Sequence, residues 1–306
     1  MKKLILILGD QLQEDSSALI DFNADHDEII MIESSAEAEY VWSHKARIVL
    51  FLSAMRHFAE HLNKKGFPLS YYKENKQTIV DVLAQHIKKH SITHLICVEP
   101  GEVRLRDALM DLAHELSIHL ELRPDTHFYC GTKEFSDWAG DKKELRLEYF
   151  YRYMRKKHQV LMQENGEPEG NCWNYDQENR KPYSKKGPGL IVEPLWFEPD
   201  SITKDVITYV EKEYEDHPGS LNQFKWPVTR QDALLALDHF IEHRLDHFGT
   251  HQDAMWTKTP FGWHSIISSS LNLKLISPKE VVQAALNKWE RNPDLLSSIE
   301  GFIRQI

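Results

Sequence analysis

A doubly wound α/β parallel sheet of five strands, followed by a helical region, is the fold class this sequence predicts. Three observations predict it. The first 125 residues alternate short apolar runs with stretches of helical periodicity. Those runs are continuous rather than alternating, as in strands buried on both faces. After Asp200 the periodicity becomes wholly helical.

Leu4-Ile5-Leu6-Ile7-Leu8 is the first run, and Met1 to Leu8 reads as the opening strand. Ile29 to Ile32 is the second strand. Ile48, Phe51, Met55, Phe58, Ala59 and Leu62 then recur at helical spacing. Leu69 to Tyr72 is the third strand, and Ile79, Leu83 and Ile87 mark the next helix. His94 to Val98 is the fourth strand, followed by a helix on Leu105, Leu109, Leu112, Ala113 and Leu116. Ile118 to Leu122 closes the series, with right-handed crossovers throughout. Residues 1–130 are thus an α/β domain. Residues 131–200 break the rhythm: a helix over Lys143 to Met162, then a Gly/Pro/Asn-rich stretch from Asn165 to Pro199. Gly166 to Asn171 reads as a turn and Lys181 to Gly189 as exposed linker. Residues 201–306 are the first part of a helical domain. Thr229 with Asp232 opens one helix, on Ala233, Leu234, Leu237, Phe240, Ile241 and Leu245. Ser277-Pro278 with Glu280 opens another. Ile299 to Ile306 is helical without a stop signal, so the chain is expected to end inside an element.

Composition bounds the function. A chain of 306 residues accommodates two domains, and 41% hydrophobic with 27% charged residues is ordinary globular composition. The longest apolar run, Leu4 to Leu8, is too short for a bilayer, and Gly9-Asp10-Gln11 offers no cleavage site, so a cytoplasmic protein without membrane contact is expected. Cys97, Cys130 and Cys172 form no CxxC pair; they close neither a zinc site nor an iron–sulfur site and read as buried free thiols. The formal net charge of −10 restricts nucleic-acid binding to a local basic patch.

Ligands of doubly wound sheets bind beyond the carboxyl ends of the strands. Here those ends carry Gly9-Asp10-Gln11-Leu12, Glu33-Ser34-Ser35 and Glu99-Pro100-Gly101-Glu102, with neither GxGxxG nor GxxxxGKS. Asp10, Glu33, Glu37, Glu99 and Glu102 repel phosphate but accept hydrogen bonds from ring N–H and hydroxyl groups. They suit a neutral heteroaromatic ligand; solvated loop acids are the alternative. Further on, Phe248 to Met255 lies at a helix end and holds Gly249 for an unusual backbone angle. His264 to Asn272 brings serine hydroxyls and N–H groups to a helix start, a phosphate cradle or plain capping. Lys142 to Lys157 interleaves basic and aromatic residues, either to bind nucleic acid or as a solvated helix face. No Ser-His-Asp, HExxH or paired-carboxylate arrangement is evident.

Taken together, these segments resemble the photolyase/cryptochrome family, in its bacterial iron–sulfur branch. The resemblance rests on the opening LILGDQL, Glu37-Ala38-Glu39-Tyr40-Val41, Phe51 to Ala59, Glu99 to Glu102 and Glu148 to Arg155. It continues through Trp173 to Asp176, Glu178-Asn179-Arg180, Val228-Thr229-Arg230, Gln252 to Met255 and Glu300 to Ile306. It implies an antenna domain holding 6,7-dimethyl-8-ribityllumazine on Gly9, Asp10, Gln11, Glu33, Glu37 and Tyr40. It also implies an FAD domain with contacts on Phe248, Gln252, Asp253, Ser265, Ile267, Ser268, Leu271 and Asn272. Lys274 stands where a small residue is usual, and Ser269 where photolyases often have Pro. Family members continue beyond Ile306 into helices that carry the cluster cysteines, the rest of the FAD pocket and the lesion-reading residues. Catalytic residues are therefore expected there. The resemblance implies blue-light repair of pyrimidine photoproducts in damaged DNA, with a signalling cryptochrome or a nucleotide-binding module as alternatives. Alone, these residues are expected to hold no cluster and little FAD, and their helical part to self-associate.

Overall fold

The structure, a computed structural model, describes residues 2–306. Contacts divide the chain into two compact units. The first comprises the stretch through Thr126 together with Trp196–Arg230 and Asn272–Leu275; the second comprises His127–Leu195, Gln231–Leu271 and Ile276–Ile306.

The first unit contains β1 (Lys3–Leu6), β2 (Glu28–Ser34), α1 (Ser35–Tyr40), α2 (Lys45–Lys64), β3 (Leu69–Asn75), α3 (Ile79–His90), β4 (His94–Val98), α4 (Val103–Glu115) and β5 (His119–Arg123). The five strands are parallel, in the order β3-β2-β1-β4-β5. This is the expected doubly wound α/β sheet. Leu4, Leu6, Ile30, Ile32, Leu95 and Cys97 pack with Leu83 and Ile87 of α3 and Leu105, Leu109 and Leu112 of α4. Ile5, Ile7, Ile29 and Met31 are equally buried, which is why the runs are continuous. The ladder of β1 is shorter than the expected run. Met1 lies outside the described residues, and the Ile7 N–H makes a last bond to the Ile30 carbonyl (3.0 Å) before Gly9. A reciprocal capping box between Thr78 and Asp81 starts α3, and Ser91 ends it in the left-handed region (φ 51).

The second unit contains α5 (Thr132–Ala139) and α6 (Leu147–His158). Then α7 (Ser201–Glu213) returns to the first unit, while α8 (Arg230–His243), α9 (Leu245–His251), α10 (Ser268–Asn272), α11 (Pro278–Arg291) and α12 (Leu296–Ile303) belong mainly to the second. Several sequence expectations shift. The Lys143 to Met162 helix is only α6. The Arg155 guanidinium donates to the Val160 (3.0 Å) and Leu161 carbonyls and turns the chain back at Gln159, φ 54. The helical region expected from 201 is interrupted over 214–229, where Pro218, Gly219 and Pro227 break the pattern. That stretch and α7 belong with the sheet. Val206, Val210, Tyr214, Leu221, Phe224 and Val228 pack on Ile48 and Val49 of α2. The expected boundaries at 130 and 200 are thus not those of the compact units. The expected helix start at Ser277-Pro278 is present, and there Ser277 and Glu280 form a reciprocal capping box.

Where α9 and α12 cross, Gly249 supplies close approach rather than an unusual angle. It is helical, and a Cβ there would overlap the Ser298 backbone. The Gly249 N–H donates to Ser298 Oγ (2.7 Å), which donates to the Leu245 carbonyl (2.7 Å).

Candidate functional site

The strand order places the reversal of winding between β1 and β4, so a crevice opens beyond their carboxyl ends. Gln11 links the two ends: its buried Nε2 donates to the Val98 carbonyl at 3.2 Å. Gly9 lets the turn lie on α2, because a Cβ would stand 3.0 Å from Met55 Sδ and 3.4 Å from Phe51. Asp10 follows. Burial pushes its carboxyl above the ordinary range, opposed by the Lys274 ammonium, while Asp125 and Glu102 add to the rise.

At the end of β2, Glu33 and Glu37 part ways. Glu33 accepts from Arg56 Nε (2.8 Å), Arg56 Nη2 (2.9 Å), the Tyr71 hydroxyl (2.5 Å) and the Glu74 N–H (2.9 Å). Each oxygen takes two donors, so the carboxylate has no capacity left for a ligand. Burial and Glu33 together push the Tyr71 hydroxyl far above its usual range, which keeps it a donor. Glu37 instead pairs with Arg104 (2.6 Å), which also holds Glu102 (2.7 Å) and lies over the exposed Tyr40 ring at 4.3 Å. Asp10, Gln11, Glu37 and Tyr40 therefore border this strand edge, and Glu33 sits in a network of its own. Arg56, Arg104 and Lys274 were not singled out as site residues. Nothing in their spacing marks them, since each acts through a residue distant in sequence. A depression of about 680 Å³ at the opposite edge, lined by Lys2, Asp25, His26, Asp27 and Glu28, includes none of the expected residues.

In the second unit, Phe248 is buried against His264 (ring centroids 5.2 Å, edge-on) and Phe302 (5.6 Å). His264 Nε2 lies 2.8 Å from the carbonyl oxygen of buried Gln252, which fixes the chain just before Ser265. Asp253 is exposed, with Arg180 at 3.6 Å. Ile267 is buried and its carbonyl accepts from the Leu271 N–H (2.9 Å); Ser265 and Leu271 are half-buried and Ser268 is exposed. Asn272 belongs by its contacts to the first unit. Three residues outside the expected set stand out. Among the described residues, the buried Ser269 and Ser270 hydroxyls find no hydrogen-bond partner, and only the serine run itself signals them. Arg244, 1% exposed, donates to the Val192, Gly262 (2.6 Å) and His264 (2.8 Å) carbonyls and so braces the loop leading to Ser265.

Helix α6 turns Tyr151 and Arg155 inward, Tyr151 donating to buried Glu300 (2.9 Å). Lys142, Lys143, Arg146, Tyr149, Tyr153, Lys156 and Lys157 are exposed. Of the cysteines expected to be buried, Cys97 lies in the sheet core, but Cys130 is half-buried and Cys172 exposed, because both fall in irregular segments. Cys97 lies in the first unit and the other two in the second. Among the described residues, no group of three His, Cys, Asp or Glu side chains forms a metal site, and no helix is long and apolar enough to cross a membrane.

Comparisons with known proteins bear on this arrangement. The chain is 40% identical over 313 aligned residues to a (6-4) photolyase of Agrobacterium fabrum (strain C58 / ATCC 33970), covering 100% of this chain and 61% of that protein. An uncharacterized protein, R853, of Acanthamoeba polyphaga mimivirus is 40% identical over 57 residues, 18% of this chain and 44% of that one. The fold is similar to a bacterial class III photolyase from Agrobacterium tumefaciens (TM-score 0.58, 13% identity, 99% of this chain and 56% of that one). It is also similar to an archaeal photolyase from Sulfolobus tokodaii crystallised with two FAD molecules (TM-score 0.51, 11% identity, 96% and 57%). The chain thus spans less than two thirds of the photolyases it matches. Residues 5–226 match the family described as deoxyribodipyrimidine photo-lyase-related protein, and with the 40% identity along the whole chain this shows that the chain belongs to that photolyase-related family.

Proposed function

We propose that this chain provides the antenna crevice and part of the flavin site of a light-driven DNA-repair photolyase acting on pyrimidine photoproducts. The observation that carries the reading is the 40% identity to a (6-4) photolyase, sustained over the whole chain. The residues fit the two expected ligands in different ways. At the sheet edge, Asp10, Glu37 and the Gln11 backbone would accept from or donate to a neutral ring with a polyol tail, such as 6,7-dimethyl-8-ribityllumazine, with Tyr40 beside it. Gly9 shapes the turn, and saturated Glu33 holds the end of β2 through Arg56.

In the second unit, two buried hydroxyls without partners, on Ser269 and Ser270, supply donors that an FAD phosphate would satisfy. Ser265, Ile267, Ser268 and Leu271, with Asn272 next in the chain, would hold the phosphates, and Phe248, Gln252 and Asp253 would line the flavin. When bound, FAD supplies the blue-light-driven electron that reverses the photoproduct in a flipped-out nucleotide. The residues described here orient and exclude water: Arg244 and His264 fix the loop, and the Phe248 ring closes it on its apolar side. The exposed basic and aromatic residues from Lys142 to Lys157 suit a DNA backbone despite the net charge of −10. The three cysteines do not fit an iron–sulfur cluster, which needs four ligands.

The test uses protein containing this chain, loaded with FAD and reduced, on an oligonucleotide carrying one (6-4) photoproduct. Blue light should restore the intact bases, as read by chromatography, and darkness should not. Failure to restore either a (6-4) product or a cyclobutane dimer in light would overturn the repair reading.

A further inference from the structure

Helix α1 carries two of the crevice residues, Glu37 and Tyr40, yet little in α1 itself fixes them. It is six residues long, with no buried residue and no side-chain N-cap bond, and its half-buried Ala38 packs against the cluster around Ile48. A helix of that length is not stable by itself. Arg104, at the start of α4, reaches both residues. Its Nη2 donates to Glu37 Oε2 (2.6 Å), its Nη1 lies 3.4 Å from Glu37 Oε1, and its guanidinium lies 4.3 Å from the centre of the Tyr40 ring. Glu102, just before α4, aims the guanidinium: its Oε1 accepts from Nε (2.7 Å) and its Oε2 from Nη2 (3.1 Å). Such two-point contacts are the most directional that an arginine makes with a carboxylate. In the sheet, β2 and β4 are the two neighbours of β1. Because α1 follows β2 and α4 follows β4, the Arg104–Glu37 bridge passes beyond the carboxyl end of β1, across the crevice that Gly9 and Asp10 border.

We propose that Arg104 is a positioning residue of the antenna crevice: bridging from α4 to α1, it holds the Glu37 carboxylate, and beside it the Tyr40 ring, in place for a planar ligand that carries N–H or hydroxyl donors. The inference rests on the pigment reading given above. Arg104 takes one acceptor position on each Glu37 oxygen, and a carboxylate offers about four. Glu37 thus keeps room for a ligand's donors, unlike Glu33, whose positions are filled. Without the guanidinium, Glu37 and Glu102 are like charges left facing each other, since both reach the same Nη2. Glu37, already 29% exposed, then turns to water, and the exposed Tyr40 ring loses its cationic neighbour. Binding must then order both side chains, which lowers affinity.

The experiment compares the full chain with Arg104→Met, Arg104→Lys, Glu37→Gln and the double variant Arg104→Met with Glu37→Gln. Both side chains are about one-third exposed, so each variant should keep the fold. Fluorescence titration with 6,7-dimethyl-8-ribityllumazine should show roughly tenfold weaker binding for Arg104→Met, the effect of one lost charged hydrogen bond. Arg104→Lys keeps the charge without the two-point fork and should recover part of that loss. Because Arg104 acts mainly through Glu37, the double variant should bind about as weakly as Glu37→Gln alone. Single losses that multiply in the double variant would overturn the role, since Arg104 would then act independently of Glu37. Lumazine bound by Arg104→Met as tightly as by the unmodified chain, or more tightly, would also overturn it and leave the pigment reading standing; Arg104 would then be idle or a competitor for Glu37. An unmodified chain that does not bind the lumazine overturns the pigment reading and this inference with it.

Discussion

Glu33 and Glu37 leave the same end of β2, and their surroundings give them opposite roles. Glu33 satisfies a buried guanidinium, so Glu33→Gln should cost about 3 kcal/mol, because it leaves Arg56 buried and short of charge. The check is the urea midpoint. The Glu37–Arg104 pair is about one-third exposed, so Glu37→Gln should cost 1 kcal/mol or less, about the limit for such pairs, yet weaken lumazine retention. At α10 stability and binding should move in opposite directions. Ser270→Ala removes a buried hydroxyl that lacks a partner, so it should raise thermal stability by about 1 kcal/mol while weakening flavin-nucleotide binding in calorimetry. His86 is one residue through which pH acts on the sheet unit. It is buried on α3, with Nδ1 2.9 Å from the Tyr72 hydroxyl and the ring stacked on His90 at 4.4 Å. Burial lowers its pKa, opposed by Glu28 and reinforced by His90, Lys2 and Lys89. The unfolded chain therefore binds more protons between the folded value and the ordinary value of about 6.5. Stability should rise with pH through that window and be lost as pH falls through it. Melting temperatures from pH 7 to 5 should drop less steeply in His86→Gln than in the unmodified chain.

At the scale of elements, the sheet was legible because strands buried on both faces must be apolar at every position, and Leu4 to Leu8 or Ile29 to Ile32 leave no other reading. The start of α11 at Ser277-Pro278 was legible for a similar reason: its chemistry is local. What could not be read depended on distant partners. The carboxyl end of α6 is set by Arg155 reaching forward to two carbonyls. The role of Gly249 is set by Ser298, far along the chain, and not by its own dihedral angles. Near the candidate site, the place of Gly9, Asp10 and Gln11 after β1 was legible, whereas the saturation of Glu33 and the buried pairing of Lys274 with Asp125 were not. The α9–α12 crossing gives a test. Gly249→Ala forces a methyl group into the Ser298 backbone, where no rotamer relieves it. It should destabilise by about 3 kcal/mol, at the upper end for overpacking. Ser298→Ala should cost less, about 1 kcal/mol, through the lost hydrogen bonds. A Gly249→Ala protein as stable as the parent in denaturant would contradict this packing.

At the scale of the whole molecule, the α/β unit is not one continuous stretch of chain. It is completed by Trp196–Arg230, which returns after a long excursion through the other unit. The apolar surface on α2 around Ile48 and Val49, with half-buried Leu50 and Leu52, is covered by Val206 and Val210 of α7 and by Tyr214, Leu221, Phe224 and Val228. Polar contacts pin the edges of this cover. His57 Nε2 lies 3.3 Å from Asp200, the N-cap of α7, His217 Nδ1 lies 2.8 Å from the Ser43 carbonyl, and the Lys45 N–H donates to the Pro218 carbonyl (2.9 Å). A fragment of residues 1–126 therefore keeps every strand of the sheet and loses the outer layer of α2. Burying four or five large apolar side chains contributes roughly 2 kcal/mol each, comparable to the whole stability of a small domain. The fragment should bind a hydrophobic dye, self-associate and melt at low temperature. Adding a peptide of residues 196–230 should suppress dye binding and raise the melting temperature in proportion to its concentration, as expected for a ligand of the folded state. A peptide carrying Val206→Asp and Val210→Asp should do neither. If residues 1–126 alone melt as the parent α/β unit does, without dye binding, the returning segment is a passenger and the unit is complete without it.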